Sequence, residues 1–175
     1  MTERSLPLSE LHVAMSKLAA ALPAIGLEVL RGATEELFVE VAGPRSPVGS
    51  YPRTSIHPGK YAASHRVSVG RKTFARLPDA PSYPRLGAAE AAAALREMRL
   101  DSPVFITNDA TTDGSRRSYA PILEGGRRPD SRGRMIGSEQ APFGVYGPAI
   151  RDGLTSAFPR VAGAAFTRAL RTAGL

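Results

Sequence analysis

The chain has 175 residues, which fits one ordinary domain and leaves no room for two of roughly 150 residues each. Its 17 glycines and 15 prolines predict long irregular loops, and the lack of cysteine excludes disulfides and thiolate metal sites. A formal charge of +7 indicates an anionic partner or an acidic neighbouring subunit.

The hydropathy pattern predicts neither a membrane span nor a secretion signal. No apolar run approaches the roughly 18 residues that a membrane-spanning helix needs. The N-terminus begins polar and lacks the basic-then-apolar layout of a signal peptide. We therefore expect a soluble protein that is made in a cytoplasm and has no membrane partner.

Residues 1–43 are predicted to form a helical N-terminal region of two helices. Apolar side chains recur at alternating spacings of three and four residues from Leu8 to Leu22, which places them on one helical face. Pro23 ends this pattern because proline lacks a backbone donor and clashes with the preceding turn. A second helix starts there and stops at Gly43. We expect the pair to pack onto the sheet through Leu11, Met15, Leu18, Leu30 and Leu37.

Residues 44–147 are predicted to hold a small sheet, long loops and one alanine-rich helix. Alternation from Tyr61 to Gly70 predicts a strand with His65 on its inward face. The composition of Ala88–Leu100 favours a helix, and Pro103–Thr107 is typical of a buried strand. Residues 125–138 read as a loop, and residues 141–147 as a strand or an extended segment.

Residues 148–175 are predicted to form a helical C-terminal region. Pro159 marks a break in this helix or the first turn of a new one. The chain is therefore predicted to be a single α+β domain, residues 1–175. Helices at both termini pack on a small, mostly antiparallel sheet, and the long loops are rich in proline, glycine and arginine.

Three short motifs follow one another between Ser46 and Gly144. The first is Ser-Pro-Val-Gly, then a Pro-Gly-Lys turn and a strand ending in Arg-Val-Ser-Val-Gly. The second is an apolar strand closing in Thr-Asn-Asp, and the third combines Tyr-Ala-Pro-Ile-Leu-Glu with Gln-Ala-Pro-Phe-Gly. In this order they resemble the neck, or tail-completion, proteins of tailed bacteriophages. The motif residues are Pro47, Gly59, Val67, Gly70, Asn108, Tyr119, Leu123, Glu124, Gln140, Ala141, Pro142 and Gly144.

The resemblance implies a structural virion protein, assembled in the host cytoplasm, that forms a ring at the head–tail joint. Its partners would be copies of itself in a multiple of six, head connector or portal-adaptor proteins, and tail terminator or tube proteins. Phage DNA would pass through the ring without specific contacts. The chain departs from the family pattern at Ser64-His65, at Gly125 and in its long loop between Glu124 and Gln140.

Basic residues are candidates for a subunit interface or for a DNA-facing lumen. Arginine and glycine dominate the stretch from Arg127 to Arg134, which we expect to be mobile in an isolated monomer and ordered by neighbouring subunits. The same charge supports an alternative function as a basic nucleic-acid-binding accessory protein. Within the structural class, a tail terminator is a further alternative. The candidates are Arg116, Arg117, Glu124, Arg127, Arg128, Arg132, Arg134, Lys60 and Arg66.

Motifs for catalysis, cofactor binding and metal binding are missing from the sequence. Its three histidines, His12, His57 and His65, do not occur at ligand spacings, and His65 reads as a core or interface residue. Asn108, Asp109 and Asp113 fit Asx turns better than a cation site. Neither a Gly-x-Ser-x-Gly elbow nor a phosphate-binding loop is present. We expect no enzymatic activity, no cofactor and no metal.

Overall fold

The computed structural model describes residues 7–43, 59–74, 77–78, 80, 83–84, 86–111, 125–136 and 143–175. It confirms an α+β fold with helices toward both termini and a small antiparallel sheet. The helices and strands are α1 (Leu8–Ala42), α2 (Lys60–Ala63), β1 (His65–Val69), α3 (Ala88–Ala94), β2 (Val104–Asn108), β3 (Arg128–Pro129), β4 (Met135–Ile136), α4 (Tyr146–Asp152), a π-helical segment (Gly153–Ala157) and α5 (Phe158–Ala173).

Helix α1 runs without interruption through Pro23, so the prediction of two helices is wrong. Proline inside a helix removes one hydrogen bond and costs about 3 kcal/mol. Residues on both sides of Pro23, including Lys17 and Ile25, line a groove against α5, so tertiary packing holds the helix together across the proline. The predicted stop is confirmed, since Gly43 follows the last turn and donates its N–H to the carbonyl of Val39.

The main sheet has two strands, β1 and β2, which pair antiparallel with Val67 opposite Ile106. The strand predicted from Tyr61 is shorter than expected, because its first residues form the one-turn helix α2. Gly59 has a φ of +84°, a conformation that suits glycine, and turns the chain into this helix. The second strand is confirmed, shifted by one residue to end at Asn108.

Helix α3 ends at Ala94, six residues before the predicted end at Leu100. The following turns bury Leu95 and Met98 against the core. The guanidinium of Arg31, on α1, donates to the carbonyls of Arg96 (2.8 Å) and Met98 (3.0 Å). Two carbonyl groups of the turns that follow α3 are therefore bonded to α1, which ties these turns to the long helix.

The hydrophobic core lies around the C-terminal third of α1. It joins that helix to α2, the turn after α3 and the start of α4. The predicted packing of the apolar seam onto the sheet is wrong for Leu11, Met15 and Leu30, which are exposed. Leu37 does pack against the core, as predicted. The α1 side chains of the core itself all come from the last turns of the helix. The core side chains are Phe38, Val41, Ala42, Tyr61, Ala91, Leu95, Met98, Ala110, Val145 and Ala149.

The C-terminal region is one helical rod made of α4, the π-helical segment and α5. The extended segment predicted for residues 141–147 is wrong at its end, because Tyr146 and Gly147 belong to α4; residues 141 and 142 lie outside the described residues. Pro159 falls in the first turn of α5, as one of the two predicted alternatives held.

Helix α5 packs antiparallel along α1. A Cβ atom on Gly32 would lie 2.7 Å from Cγ1 of Val161, so the two helices approach most closely where glycine leaves space. Arg160 forms an ion pair of 2.9 Å with Glu36, and Arg168 pairs with Glu28. At the other end of the contact, Ala173 shares a groove with Ala14.

We predict that Gly32→Ala lowers the free energy of unfolding by up to about 2 kcal/mol. The added methyl overpacks the contact at a cost of about 1–3 kcal/mol, against a gain in helix propensity of about 1 kcal/mol. Chemical denaturation measures the change, and the further substitution Val161→Ala should reverse it. Gly163→Ala is the matched control, because its Cβ would meet nothing within 4 Å and should stabilise the protein. Equal stability of the two single variants would contradict the close helix contact.

Candidate interaction surfaces

The N-terminal half of α1 presents an apolar stripe to solvent. Leu8, Met15 and Leu22 are 85%, 52% and 53% exposed, and Leu11 is also exposed. At about 100° per residue, Leu11, Met15 and Leu22 lie within about 40° of one another around the helix. We call these four residues the α1 seam. The spacings of three and four residues are those of a coiled-coil contact, and Val13, which is 52% exposed, adds apolar surface on another side of the same helix.

The opposite side of the α1–α5 pair carries a groove. Alanines and Ile25 make up most of its lining, and the charged Lys17, Glu28 and Arg168 lie among them. On the helical wheel of α1, Lys17 and Glu28 lie more than about 100° from the seam. The seam therefore faces away from this groove, and the exposed Phe166 of α5 lies on the seam side by the same geometry.

A second apolar stripe lies on the C-terminal rod. Ile150, Leu154 and Phe158 follow one another every four residues, and each is exposed, Leu154 by 65%. In an α-helix, a step of four residues drifts by about 40° around the axis. The π-helical segment between Gly153 and Ala157 contains wider turns, which reduce this drift and keep the three side chains in line. We call these three residues the C-terminal ridge.

Helix α1 is also long and apolar enough to cross a membrane by length and composition. An 18-residue window has a mean hydropathy of 1.6, and 17% of that window is buried. This differs from the prediction that no apolar run is long enough to span a membrane, because the helix continues through Pro23. Core helices of soluble proteins and N-terminal signal sequences meet the same criterion, so the finding is weak evidence for a membrane.

The arginine-rich stretch forms a β-hairpin rather than the predicted loop. Strands β3 and β4 pair antiparallel, with Arg128 opposite Ile136. At the turn, Asp130 accepts hydrogen bonds from the backbone N–H groups of Arg134 (2.9 Å) and Arg132 (2.8 Å), and it forms an ion pair with the Arg134 guanidinium (2.8 Å). These hydrogen bonds lower the pKa of Asp130. Arg127, Arg128 and Arg132 remain exposed on this hairpin.

The hairpin also exposes apolar surface. Met135 and Ile136 are 53% and 43% exposed. A two-stranded hairpin is at best marginally stable on its own in water, and its open edges can pair with other chains. An apolar strand beside exposed arginines is therefore a plausible contact arm for an acidic or anionic partner.

The other predicted interface residues are scattered. Lys60 is 2% exposed and so cannot serve as an accessible cation in this conformation. The half-buried Arg66 donates to the carbonyl of Ala63 at 2.8 Å, which ties it to its own turn. Arg116, Arg117 and Glu124 lie outside the described residues. Of the predicted candidates, the structure brings together only those of the hairpin: Arg127, Arg128, Arg132 and Arg134.

Several motif residues meet around α2 and the sheet. Gly59 and Gly70 bracket α2 and β1 with positive φ angles, and Val67 packs on the core from β1. Asn108 donates to the carbonyl of Tyr61 at 2.7 Å and accepts from the N–H of Ala110 at 2.9 Å. Gly144 also has a positive φ, before α4. The remaining motif positions lie outside the described residues: Pro47, Tyr119, Leu123, Glu124, Gln140, Ala141 and Pro142.

His65 is the centre of a buried polar and aromatic cluster. Its side chain is fully buried, its Nδ1 lies 3.0 Å from the carbonyl oxygen of Ala62, and the Asn108 amide nitrogen lies within 3.0 Å of the ring. Phe38 and Tyr61 pack edge-on to the imidazole. Burial lowers the pKa of His65 to about 4. The histidine is therefore a core residue, as predicted.

Neither metal chemistry nor a known relative emerges from the described part of the chain. The residues with assigned positions include no group of three or more histidine, aspartate or glutamate side chains that could hold a metal ion. Comparisons with protein-family models, with curated proteins and with solved structures find no match to this chain. The exposed stripes and the hairpin are therefore the features from which a function has to be inferred.

The sequence contained a signal for the exposed seam that the prediction did not use. Apolar residues at coiled-coil spacing, flanked by alanines, are typical of a helix that packs against another helix rather than against a sheet. By contrast, the C-terminal ridge depends on the π-helical turn, for which the sequence offers no comparable signal.

We predict that acid destabilises the fold through His65. Its folded pKa of about 4 lies below the unfolded value of 6.5, so the neutral ring contributes stability above pH 6.5. That contribution is lost as the pH falls from 6.5 to about 4, and it amounts to at most about 3 kcal/mol. Urea unfolding at several pH values measures the slope. His65→Gln should flatten this slope between about pH 4 and pH 6.5, and an unchanged slope in this variant would exclude His65 as its source.

Proposed function

We propose that this protein is a structural ring subunit in the neck of a tailed phage, where it joins the head connector to the tail and lines the DNA passage. The observation that supports this proposal best is the apolar seam of α1, which the chain leaves in water. Monomeric proteins rarely expose contiguous apolar stripes, and such stripes commonly mark contacts with other proteins. A ring subunit needs faces of this kind rather than a cleft.

The shape of the described surface agrees with an assembly role. Its grooves run along the α1–α5 contact and are lined by alanines and by the paired Glu28 and Arg168. An ion pair of this kind satisfies its own charges and offers little to a substrate. In contrast, the hairpin and the two apolar stripes are exposed, as surfaces for neighbouring subunits would be.

The resemblance to neck proteins supports the phage setting. Its motif residues Gly59, Gly70 and Asn108 hold the junction between α2 and the two-stranded sheet. Residues that shape a backbone turn are those that a family sharing this fold would need. The motifs thus relate to the fold, while the seam and the hairpin relate to assembly.

We predict that the purified protein assembles into a closed ring whose copy number is a multiple of six. Native mass spectrometry measures the assembled mass, and quantitative analysis of phage particles measures copies per virion. One ring per particle is the expected result, because the neck is a single joint. Hundreds of copies per particle, as in a shell or tube, or complete absence from particles, would contradict the neck assignment.

A second candidate function is nucleic-acid binding, which the exposed arginines of the hairpin favour. Phosphate contacts need only accessible positive charge, and they give a steep dependence on salt. Each neutralised phosphate lowers the logarithm of duplex affinity by about 0.9 per tenfold increase in salt. Duplex binding with this slope by the isolated protein, without ring formation, would favour this alternative.

We predict that replacing Arg127, Arg128 and Arg132 together with serine leaves the melting temperature unchanged. The variant retains Arg134, whose ion pair with Asp130 holds the turn. Under the neck proposal, it should assemble normally but reduce head–tail joining, measured as free heads and tails in lysates. Replacement of the same three arginines with lysine is the matched control, because it keeps the positive charge that serine removes. Full infectivity of the serine variant would show that these arginines of the hairpin have no role in head–tail joining.

A further inference from the structure

We propose that the hairpin is a phosphate-binding arm for duplex nucleic acid, in which Arg128 and Arg132 contact the backbone while Asp130 keeps Arg134 out of the contact. This inference rests on the DNA passage of the proposed function. It names the element of the chain that touches the DNA and the carboxylate that limits the strength of the contact.

The hairpin stands out from the body of the protein. It begins after Gly126, which is buried and has a φ of +63°. From Arg127 to Ile136 every residue is exposed except Asp130, which is partly exposed. Strands β3 and β4 form a sheet of their own, separate from the sheet of β1 and β2. A partner therefore has access to both faces of the hairpin and to its turn.

Two arginines of the hairpin keep their charge open. Arg128 lies in β3 and Arg132 lies in the turn, and both are exposed. The guanidinium group of neither forms a hydrogen bond or an ion pair with any part of the chain that the structure describes. A guanidinium presents its donors in a planar fork that matches phosphate oxygens in pairs. These two side chains are therefore the phosphate-binding groups of the arm.

Asp130 uses its charge inside the hairpin. Its Oδ1 accepts hydrogen bonds from the backbone N–H groups of Arg132 (2.8 Å) and Arg134 (2.9 Å), and its Oδ2 accepts from Nε of Arg134 (2.9 Å). Gly133 donates its N–H to the Asp130 carbonyl at 3.0 Å and has a φ of +75°, the conformation that a three-residue hairpin loop gives to glycine. Asp130 thus fixes the turn and neutralises Arg134.

The open charges suit a partner with a dense row of anions. The strand carries the chain about 10 Å from Arg128 to the turn, at about 3.3 Å per residue. Duplex DNA has one negative charge per about 1.7 Å of its axis, so about six phosphate charges lie within this length. Its major groove is also about 12 Å wide, which admits a two-stranded ribbon. The arm therefore meets phosphates without needing a particular base sequence.

The apolar side chains of the hairpin favour nucleic acid over an acidic protein surface. Successive residues of a strand point to opposite faces, so the exposed Met135 and Ile136 lie on different faces. Ile136 shares its face with Arg128, which lies opposite it in the register. Neither face thus offers the contiguous apolar centre that is typical of protein interfaces. Phosphate contacts need no such centre, because they depend on accessible positive charge.

Fluorescence anisotropy of a mixed-sequence DNA duplex with the full-length protein tests the arm. Arg128→Ser combined with Arg132→Ser should lower the duplex affinity at about 0.1 M salt by roughly tenfold for each arginine. It should also reduce the slope of log affinity against log salt by about 1.8 for the two contacts. The matched control removes the same charge from the C-terminal rod, through Arg151→Ser with Arg171→Ser, both exposed, and should keep the original slope.

Two results of this titration would overturn the proposal. One is an equal loss of affinity in the control pair, which would attribute binding to the overall charge of the protein. The other is no duplex binding by the unaltered protein at low salt.

Asp130→Asn should change the affinity in the opposite direction. Asparagine keeps an Oδ1 that accepts the hydrogen bonds of the turn, but it lacks the negative charge that pairs with Arg134. We predict that the duplex binds up to roughly tenfold more tightly and that the salt slope steepens by about 0.9, since a third guanidinium becomes available. A purely structural Asp130 would leave both unchanged.

Exchange rates of the Arg132 and Arg134 N–H groups show whether the turn persists in this variant. An intact turn with unchanged or weaker duplex binding would overturn the role of Asp130. If the turn opens, the loss of binding in the serine pair still decides whether Arg128 and Arg132 form the contact.

Poly-glutamate tests the other class of partner. The proposal predicts that it displaces the labelled duplex much less efficiently than unlabelled duplex does at equal charge. Equal displacement would overturn the proposal in favour of an acidic protein surface. Failure of the arm and failure of the neck role remain distinguishable. Duplex binding through Arg128 and Arg132 by a protein absent from phage particles would contradict only the neck role, whereas a virion ring whose serine pair keeps full duplex affinity would contradict only the arm.

Discussion

The antiparallel packing of α5 on α1 is the contact on which the rest of the architecture depends. Gly32 lets Val161 approach the axis of α1, and the ion pairs of Glu28 and Glu36 flank that approach. Because this packing covers one side of the helix, α1 continues through Pro23 despite the lost hydrogen bond. The core then forms only around its last third, where Phe38 and Val41 meet the sheet layer.

This arrangement explains why so much apolar surface stays in water. A 35-residue helix spans about 52 Å, longer than the small core that it supports. Of the elements that the structure describes, α5 packs along the N-terminal half, and the seam is exposed. The same limitation applies to the C-terminal rod, where the π-helical turn aligns Leu154 and Phe158 outside the core. Burial in an assembly would stabilise both without any change of the fold.

The sequence predicted the fold class well and the use of its surfaces poorly. Periodicity and composition identified α1, β2 and the C-terminal helices, because their signals are local. Pro23 was misread because local propensity was overridden by the packing of α5, which no local pattern reveals. The strand from Tyr61 was too long because alternation does not show that Gly59 turns the chain into a helix. The hairpin was missed because the stretch rich in arginine and glycine was interpreted as a loop. Its turn depends on the hydrogen bonds of Asp130, which the sequence analysis did not consider.

The exposed helical face is the central feature of this account, and amide hydrogen exchange at several protein concentrations tests it most directly. Helical segments that are covered on one side alone open more readily than the core, so residues 8–22 should exchange faster than the amides beside Phe38 in dilute monomer. They should become protected together with residues 150–158 as the assembled mass rises, while amides beside Phe38 stay slow throughout. Exchange of both segments that does not change with concentration, or slow exchange of residues 8–22 in the monomer, would contradict it.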